Sequence, residues 1–146
     1  MTGQQRLLIV VLATLLVSIA VTAGITLFKG NAVASNREQL VSTLMTLGSE
    51  AQIYLKKPVS MAGGGGSFAN FRLASSDTGD ANGSYSCSRK EPGNIKYVPG
   101  SVKPIRRSRP RIYIVGCGKE IGADNRQVVK AYVEVTRDSL EARILN

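Results

Sequence analysis

One segment constrains the fold of this chain more than any other. From Leu7 to Phe28, 22 successive residues carry no charge, and 17 of them are Ala, Val, Ile, Leu or Phe. At a rise of about 1.5 Å per residue, a helix of this length spans about 33 Å, close to the hydrocarbon thickness of a bilayer. A helix that is apolar on every face needs lipid or a much larger protein around it. We therefore predict a membrane-spanning or membrane-targeting helix at residues 7–28, after a short tail at residues 1–6.

Three fates of this apolar segment remain open. A cleaved secretory signal needs a charged start, an apolar stretch of about 7–15 residues and small residues before the cleavage point. Arg6 supplies the charge and Ala32–Ala34 the small residues, but the apolar segment is longer than a signal needs. Otherwise the helix is a signal anchor, or it packs against copies of itself. Because Lys29 and Arg37 follow the span while Arg6 precedes it, the positive-inside rule leaves the orientation open.

Hydroxyl side chains recur along the apolar segment at a spacing of four residues. Residues four apart share one face of a helix, so these side chains predict a seam of small residues. Such a seam permits close helix approach in lipid, while Ser and Thr are also tolerated because they bond to their own helix. We interpret the seam as a surface for helix self-association; its members are Thr14, Ser18, Thr22 and Thr26.

An amphipathic continuation of the helix is predicted at residues 29–57, after a short flexible interruption at Lys29–Asn31. Apolar side chains recur at alternating spacings of four and three residues, which is typical of a helix with one buried face. A stripe of about three turns favours packing on the protein's own sheet over a coiled coil. Pro58 disfavours helix at the residue before it. The stripe consists of Leu40, Leu44, Leu47, Ala51 and Tyr54.

The rest of the chain predicts a glycine-rich loop at residues 58–84 and an antiparallel β-sheet domain at residues 85–146. Four glycines in a row, Gly63–Gly66, favour flexible or positive-φ backbone, and Phe68 and Phe71 are expected to hold the loop to the core. Val129, Ala131, Val133 and Val135 alternate with polar or aromatic residues, which indicates one buried and one exposed strand face. The predicted class is α+β, a long N-terminal helix packed on a small antiparallel sheet. Predicted strands are 85–88, 95–98, 111–115, 128–135 and 140–145.

Two cysteines, Cys87 and Cys117, fall near strand ends. In an oxidising compartment they are expected to form a disulfide, which the loop-entropy description values at roughly 3.5 kcal/mol. In a reducing compartment they are two small buried hydrophobic residues. We favour the disulfide.

Positive charge is concentrated in one stretch of the chain. The net charge is +9, and residues 89–111 hold eight Lys or Arg against Glu91 alone. The stretch is either a solvated loop or a patch that attracts DNA, anionic lipid or acidic glycan. The candidate anion-binding residues are Arg106, Arg107, Arg109 and Arg111.

The composition argues against catalysis. The chain has no histidine, which removes the usual base of Ser-His-Asp and Cys-His sites and the commonest metal ligand. Two cysteines do not complete a zinc site. We therefore predict a protein that is not an enzyme and that uses no metal or cofactor.

The arrangement of an apolar helix after a very short leader, an amphipathic continuation, a variable loop and a C-terminal sheet with two cysteines resembles the type IV pilin and pseudopilin superfamily. Pro58 followed by Gly63–Gly66 is similar to members whose helix ends in a proline and a glycine run. The resemblance implies leader cleavage at Gly3, with Gln4 as the new first residue. The family's glutamate at the fifth mature position then falls on Leu8.

The resemblance implies a structural filament subunit. Its partners are copies of itself in a helical filament, the membrane before assembly, and the assembly machinery. Its place is the cell envelope, in the inner membrane as a single-pass protein before assembly and in an extracellular filament afterwards. The alternative is a monomeric signal-anchored envelope protein whose basic loop binds an anionic partner, either DNA, lipid or acidic glycan.

Overall fold

A computed structural model describes residues 2–93, 100–107, 109–122 and 127–146 of the chain. The helix α1 spans Gly3–Lys56, and four strands follow it: β1 Gly83–Ser88, β2 Arg111–Ile121, β3 Val128–Thr136 and β4 Leu140–Ile144. Two short 3₁₀ turns, Val59–Met61 and Ser75–Thr78, lie between α1 and β1. The strands form one antiparallel sheet in the order β1-β2-β3-β4. The α+β class is confirmed, and the architecture is pilin-like; the predicted strand at 95–98 lies outside the described residues.

The chain divides into two compact units, residues 1–32 and residues 33–146. The first unit is the N-terminal part of α1. It is long and apolar enough to cross a membrane, and none of its apolar window is buried in the chain. The second unit holds the remainder of α1, the loop and the sheet.

The predicted interruption at Lys29–Asn31 is wrong, because α1 continues through it. A glycine inside a helix costs only about 1 kcal/mol relative to alanine, whereas a break exposes unpaired backbone groups on both sides. Asn36 therefore lies inside α1. Its side chain is buried in the second unit, where its Nδ2 donates to the Asn82 carbonyl over 2.9 Å.

The amphipathic stripe packs on one face of the sheet, as predicted. Leu40, Leu44 and Ala51 are fully buried in a core that includes Ile112 and Ile114 of β2 and Val133 and Val135 of β3. Tyr54 is only half-buried, and its hydroxyl donates to the Ala69 carbonyl over 2.7 Å. Leu55, which the stripe omitted, takes the buried position beside it.

Glycines in β1 and β2 provide the surface on which α1 lies. A Cβ on Gly116 would stand 3.0 Å from Leu40 Cδ1, and one on Gly118 would collide with Asn36 Oδ1. Gly83, directly opposite Gly118 in the ladder, is constrained by both the sheet and the helix, since a Cβ there would collide with the Cys117 carbonyl of β2 and stand 3.1 Å from Leu40 Cδ1. The helix therefore approaches the sheet closely because these positions carry no side chain.

The glycine run closes the end of α1. The amide groups of Gly64, Gly65 and Gly66 donate to the carbonyls of Tyr54, Lys57 and Leu55, over 2.8 to 2.9 Å. The carbonyls of Tyr54 and Leu55 are among the last four of α1, which have no helical partner, and Lys57 directly follows the helix. Positive φ angles of 56° at Gly65 and 89° at Gly66 permit this path. Phe68 and Phe71, which follow, are buried in the core as predicted.

The second sheet face is more buried than the alternating pattern predicted. Lys130 and Tyr132 of β3 were expected to be exposed and are 5% and 4% exposed. Tyr132 packs edge-on against Tyr113, with ring centroids 6.0 Å apart, and its hydroxyl donates to Glu91 Oε1 over 3.1 Å. Because Glu91 lies far from β3 in the chain, the local pattern carries no sign of this contact.

Candidate functional site

The apolar part of α1 is the first candidate functional surface. Its large apolar side chains between Leu7 and Phe28 are 49% to 78% exposed within the chain. Exposed apolar surface of this extent marks a contact with lipid or protein. Gly3 begins the helix, and Leu8 is 66% exposed.

The hydroxyls of the seam bond to their own helix. Ser18 Oγ donates to the Thr14 carbonyl over 2.8 Å, and Thr26 Oγ1 to the Thr22 carbonyl over 2.9 Å. Thr14 Oγ1 donates to the Val11 carbonyl over 2.8 Å, and Thr22 Oγ1 reaches the carbonyls of Ser18 and Ile19. Because each hydroxyl proton is already donated within the helix, the seam presents small side chains whose donors are satisfied, rather than free donors.

The four arginines of the predicted anion-binding patch lie in different surroundings. Arg106 lines a cleft of about 550 Å³ together with Arg89 and Lys103. Arg107 and Arg109 are exposed and do not line it. Arg111 begins β2, where its Nη1 lies 3.0 Å from Glu134 Oε1 in an ion pair. The structure thus places one of the four predicted arginines at the cleft and adds two cations that the sequence did not single out.

Two segments form this basic cleft, which we define by Arg89, Lys103 and Arg106. One is the end of β1, Cys87 to Arg89, and the other is Lys103 to Arg106. Ser101 pairs with Ser86 at the outer edge of β1, and its amide donates to the Tyr85 carbonyl over 3.2 Å. The second segment therefore runs beside the first.

Ile105 anchors the second segment. Its side chain is 3% exposed, its amide donates to the Phe71 carbonyl over 2.9 Å, and its carbonyl accepts from the Asn70 amide over 2.7 Å. A residue held by burial and by both backbone groups fixes the position of its neighbours. The backbone beneath Lys103 and Arg106 is therefore held before any ligand arrives.

The predicted disulfide is not present: Cys87 and Cys117 are both free. Cys87 lies opposite Ile114, and Cys117 lies opposite Ser84, so the two are offset by three residues in the β1-β2 ladder. Three residues correspond to about 10 Å along a strand and to opposite sheet faces, whereas bridged cysteines have Cα atoms within about 7 Å. The ladder register therefore keeps the thiols apart.

The Cys87 thiol lines the cleft without adding charge to it. Burial raises the pKa of Cys87 to about 12, partly offset by a hydrogen bond from the Leu73 backbone. The thiol is therefore protonated at neutral pH and does not repel an anion. A protonated thiol is also a poor nucleophile.

In the parts of the chain that the structure describes, no three His, Cys, Asp or Glu side chains come together as a metal site. Asp124, one of the carboxylates in the C-terminal region, lies outside those parts. Among the acidic residues described, Glu134 pairs with Arg111 and Glu141 with Arg143 over 3.1 Å. These carboxylates take part in surface ion pairs.

No protein family, curated protein or solved structure matches this chain.

Proposed function

We propose that this protein is a structural subunit of a type IV pilus-like extracellular filament, assembled through its N-terminal helix. The observation that carries the proposal is the contrast within α1. Residues 7–28 expose apolar side chains all round, while the following part is buried on the sheet of the second unit. An apolar helix joined to a folded polar domain suits a filament with helices in its core and domains on its surface.

The chemistry of the helix surface supports packing among copies. Between Leu7 and Phe28 the helix has no charge, and its hydroxyl protons are used internally. Neighbouring helices then pack without leaving a buried donor unpaired, which costs about 1–3 kcal/mol per group. A contact between unlike surfaces that does not close into a ring extends into a helical filament.

The proposal includes a pathway from membrane to filament. The helix first anchors the chain as a single-pass protein in the inner membrane of the cell envelope. Assembly machinery then moves it into the filament, after cleavage at Gly3 leaves Gln4 at the N-terminus. Because Leu8 replaces the glutamate of the pilin family, the new terminal amine finds its partner in water or in a backbone carbonyl of the filament core.

The test is the yield of fibres sheared from cells that express the protein. Replacing Ser18 and Thr22 with Leu adds bulk to the seam, and we expect it to reduce the yield at least tenfold while the membrane-bound chain remains at its normal level. Ala13→Leu with Ala20→Leu adds bulk on the opposite face of the helix and is the matched control, with an unchanged yield expected. Equal yields from both variants would contradict packing along the seam.

A second experiment separates the filament from its alternative, the monomeric anchored protein whose basic cleft binds an anion. The cleft is the observation that favours this alternative. Electron microscopy of the sheared material, with the intact mass of the subunit, distinguishes them. Fibres containing a chain that begins at Gln4 support the processed pilin. Single particles that begin at Met1 support the anchor, and a soluble chain that begins at Ser35 supports a cleaved secretory signal.

A further inference from the structure

The described acidic residues do not neutralise the positive charge of the basic cleft. Within the described residues, Arg89, Lys103 and Arg106 form no ion pair. Glu91, the acidic residue closest to them in the chain, accepts from the Tyr132 hydroxyl over 3.1 Å on the second sheet face. The cleft therefore presents three cations to solvent, and its charge attracts an anionic ligand.

The backbone that carries these cations is ordered without a ligand. Ile105 holds the segment of Lys103 and Arg106, as described above. On the other side, Ser88 Oγ donates to the Lys90 carbonyl over 2.9 Å and accepts from the Lys90 amide over 3.2 Å. These bonds fix the turn that carries Arg89. A held backbone lowers the entropy lost on binding.

The lining decides what kind of anion fits. Among the described residues around the cleft, Cys87–Arg89 and Lys103–Arg106, none is aromatic, acidic or an amide. The described lining therefore offers no ring on which an unpaired base or a sugar could stack, and no amide that could read a base edge. What remains are two guanidinium forks, which match phosphate oxygens, and one ammonium. This set recognises a dense line of negative charge and no sequence.

We propose that the basic cleft binds the phosphodiester backbone of duplex DNA without reading its sequence. The duplex is the preferred form because it has a higher charge density than a single strand, and because the described residues that line the cleft include no aromatic ring on which an unpaired base could stack. This goes beyond filament formation and does not rest on it, because the three cations belong to one chain. In a filament, repeated clefts would bind one DNA molecule at many points.

The test measures binding of a fluorescently labelled 20-base-pair duplex to the full chain in non-ionic detergent, by fluorescence anisotropy at several salt concentrations. Three phosphate contacts give a slope of about −2.7 in log affinity against log salt, or a fall of about 40-fold between 50 and 200 mM. Replacing Arg89 and Arg106 with Gln leaves one contact, a slope of about −0.9 and a fall of about 3.5-fold. A single strand of the same length is expected to bind more weakly.

The matched control is Arg107→Gln with Arg109→Gln. It lowers the net charge by the same two units in the same stretch but leaves the cleft unchanged, so the slope is expected to stay near that of the original chain. Near-ultraviolet circular dichroism checks that both variants are folded. An absence of duplex binding at 50 mM salt overturns the proposal. So does an equal loss in both variants, which would mean diffuse attraction by net charge. Tighter binding of a uronic-acid glycan, or of vesicles of anionic phospholipid, would overturn the assignment to DNA.

Discussion

Between Leu7 and Phe28, the large apolar side chains of α1 are 49% to 78% exposed, whereas farther along the same helix Leu40 and Leu44 are fully buried. The first segment is apolar on all sides, and the second has an apolar stripe that meets one face of a sheet. Apolar content alone therefore does not indicate burial within a chain. The distribution of apolar residues around the helix decides how many neighbours it needs: one sheet face for the stripe, and a complete apolar environment for the first segment.

The polar side chains of the two segments differ in the same way. Between Leu7 and Phe28, hydroxyls bond to the carbonyls of their own helix. In the second segment, Asn36 and Gln52 donate to backbone carbonyls of the loop and the sheet, Asn82 and Thr136. The first segment satisfies its polar groups locally, so only packing selects its partner. The second binds one particular tertiary surface.

The largest effect that this comparison predicts is on the free energy of unfolding, when one leucine in each segment is replaced by alanine. Leu44→Ala removes a fully buried side chain and should lower the free energy of unfolding of the sheet domain by about 2–5 kcal/mol. Leu16→Ala removes a side chain that is 61% exposed and should change it by less than about 0.5 kcal/mol. Denaturant unfolding of the full chain in detergent, followed by tyrosine fluorescence, measures both. Similar losses would mean that residues 7–28 contribute to the domain core.

A smaller effect is expected from adding a methyl group to one glycine of the sheet domain and to one glycine of the first segment. Gly118→Ala places a Cβ against Asn36 Oδ1 and should destabilise the domain by about 1–3 kcal/mol. Gly24 has nothing within 4 Å, so Gly24→Ala should not destabilise it.

Combining Gly118→Ala with Asn36→Ala distinguishes a steric effect from a backbone effect, since the double variant removes the colliding atom. The cost of Gly118→Ala should fall in that background, and thermal unfolding of the four proteins gives the coupling. An undiminished cost would place the strain in the strand itself.

The smallest expected effect is a loss of stability of the sheet domain at alkaline pH. Burial, with the Asp80 carboxylate nearby, raises the pKa of Tyr85 from 10.0 to about 12. Above pH 10 the unfolded chain releases this proton while the folded chain keeps it, so stability falls as pH rises. The loss from Tyr85 is about 1.4 kcal/mol at pH 11.

Tyr85→Phe should remove this part of the pH dependence, although it also removes the hydrogen bond to Asp80. Near-ultraviolet circular dichroism of thermal unfolding at pH 8 and pH 11 measures the difference. Residues 7–28 contain no ionisable side chain. Their contribution to the helical signal in far-ultraviolet circular dichroism should therefore be the same at both pH values. An equal pH dependence in both proteins would show that Tyr85 does not set it.

Local patterns were sufficient to predict both helical segments of α1, most of the buried stripe, the sheet and the role of Phe68 and Phe71, because each depends on spacing within one segment. The predicted interruption at Lys29–Asn31 was wrong. The free cysteines and the burial of Lys130 depend on ladder register and on contacts distant in sequence. Predicting the basic cleft requires the same knowledge of strand register and of contacts distant in sequence. Arg89 and Lys103 meet Arg106 only because the chain returns along the edge of β1. A charge count locates the stretch but not the three residues that share a surface.

The internal hydrogen bonds of the seam have a consequence for how such a helix changes surroundings. A helix with no charge and no free hydroxyl proton exchanges one apolar environment for another without breaking a hydrogen bond or moving a proton. In the proposed pathway, leaving the bilayer for a filament core is then close to an even exchange, in which shape and dispersion contacts decide the balance. For residues 7–28 themselves, we expect such a transfer to depend little on pH and salt.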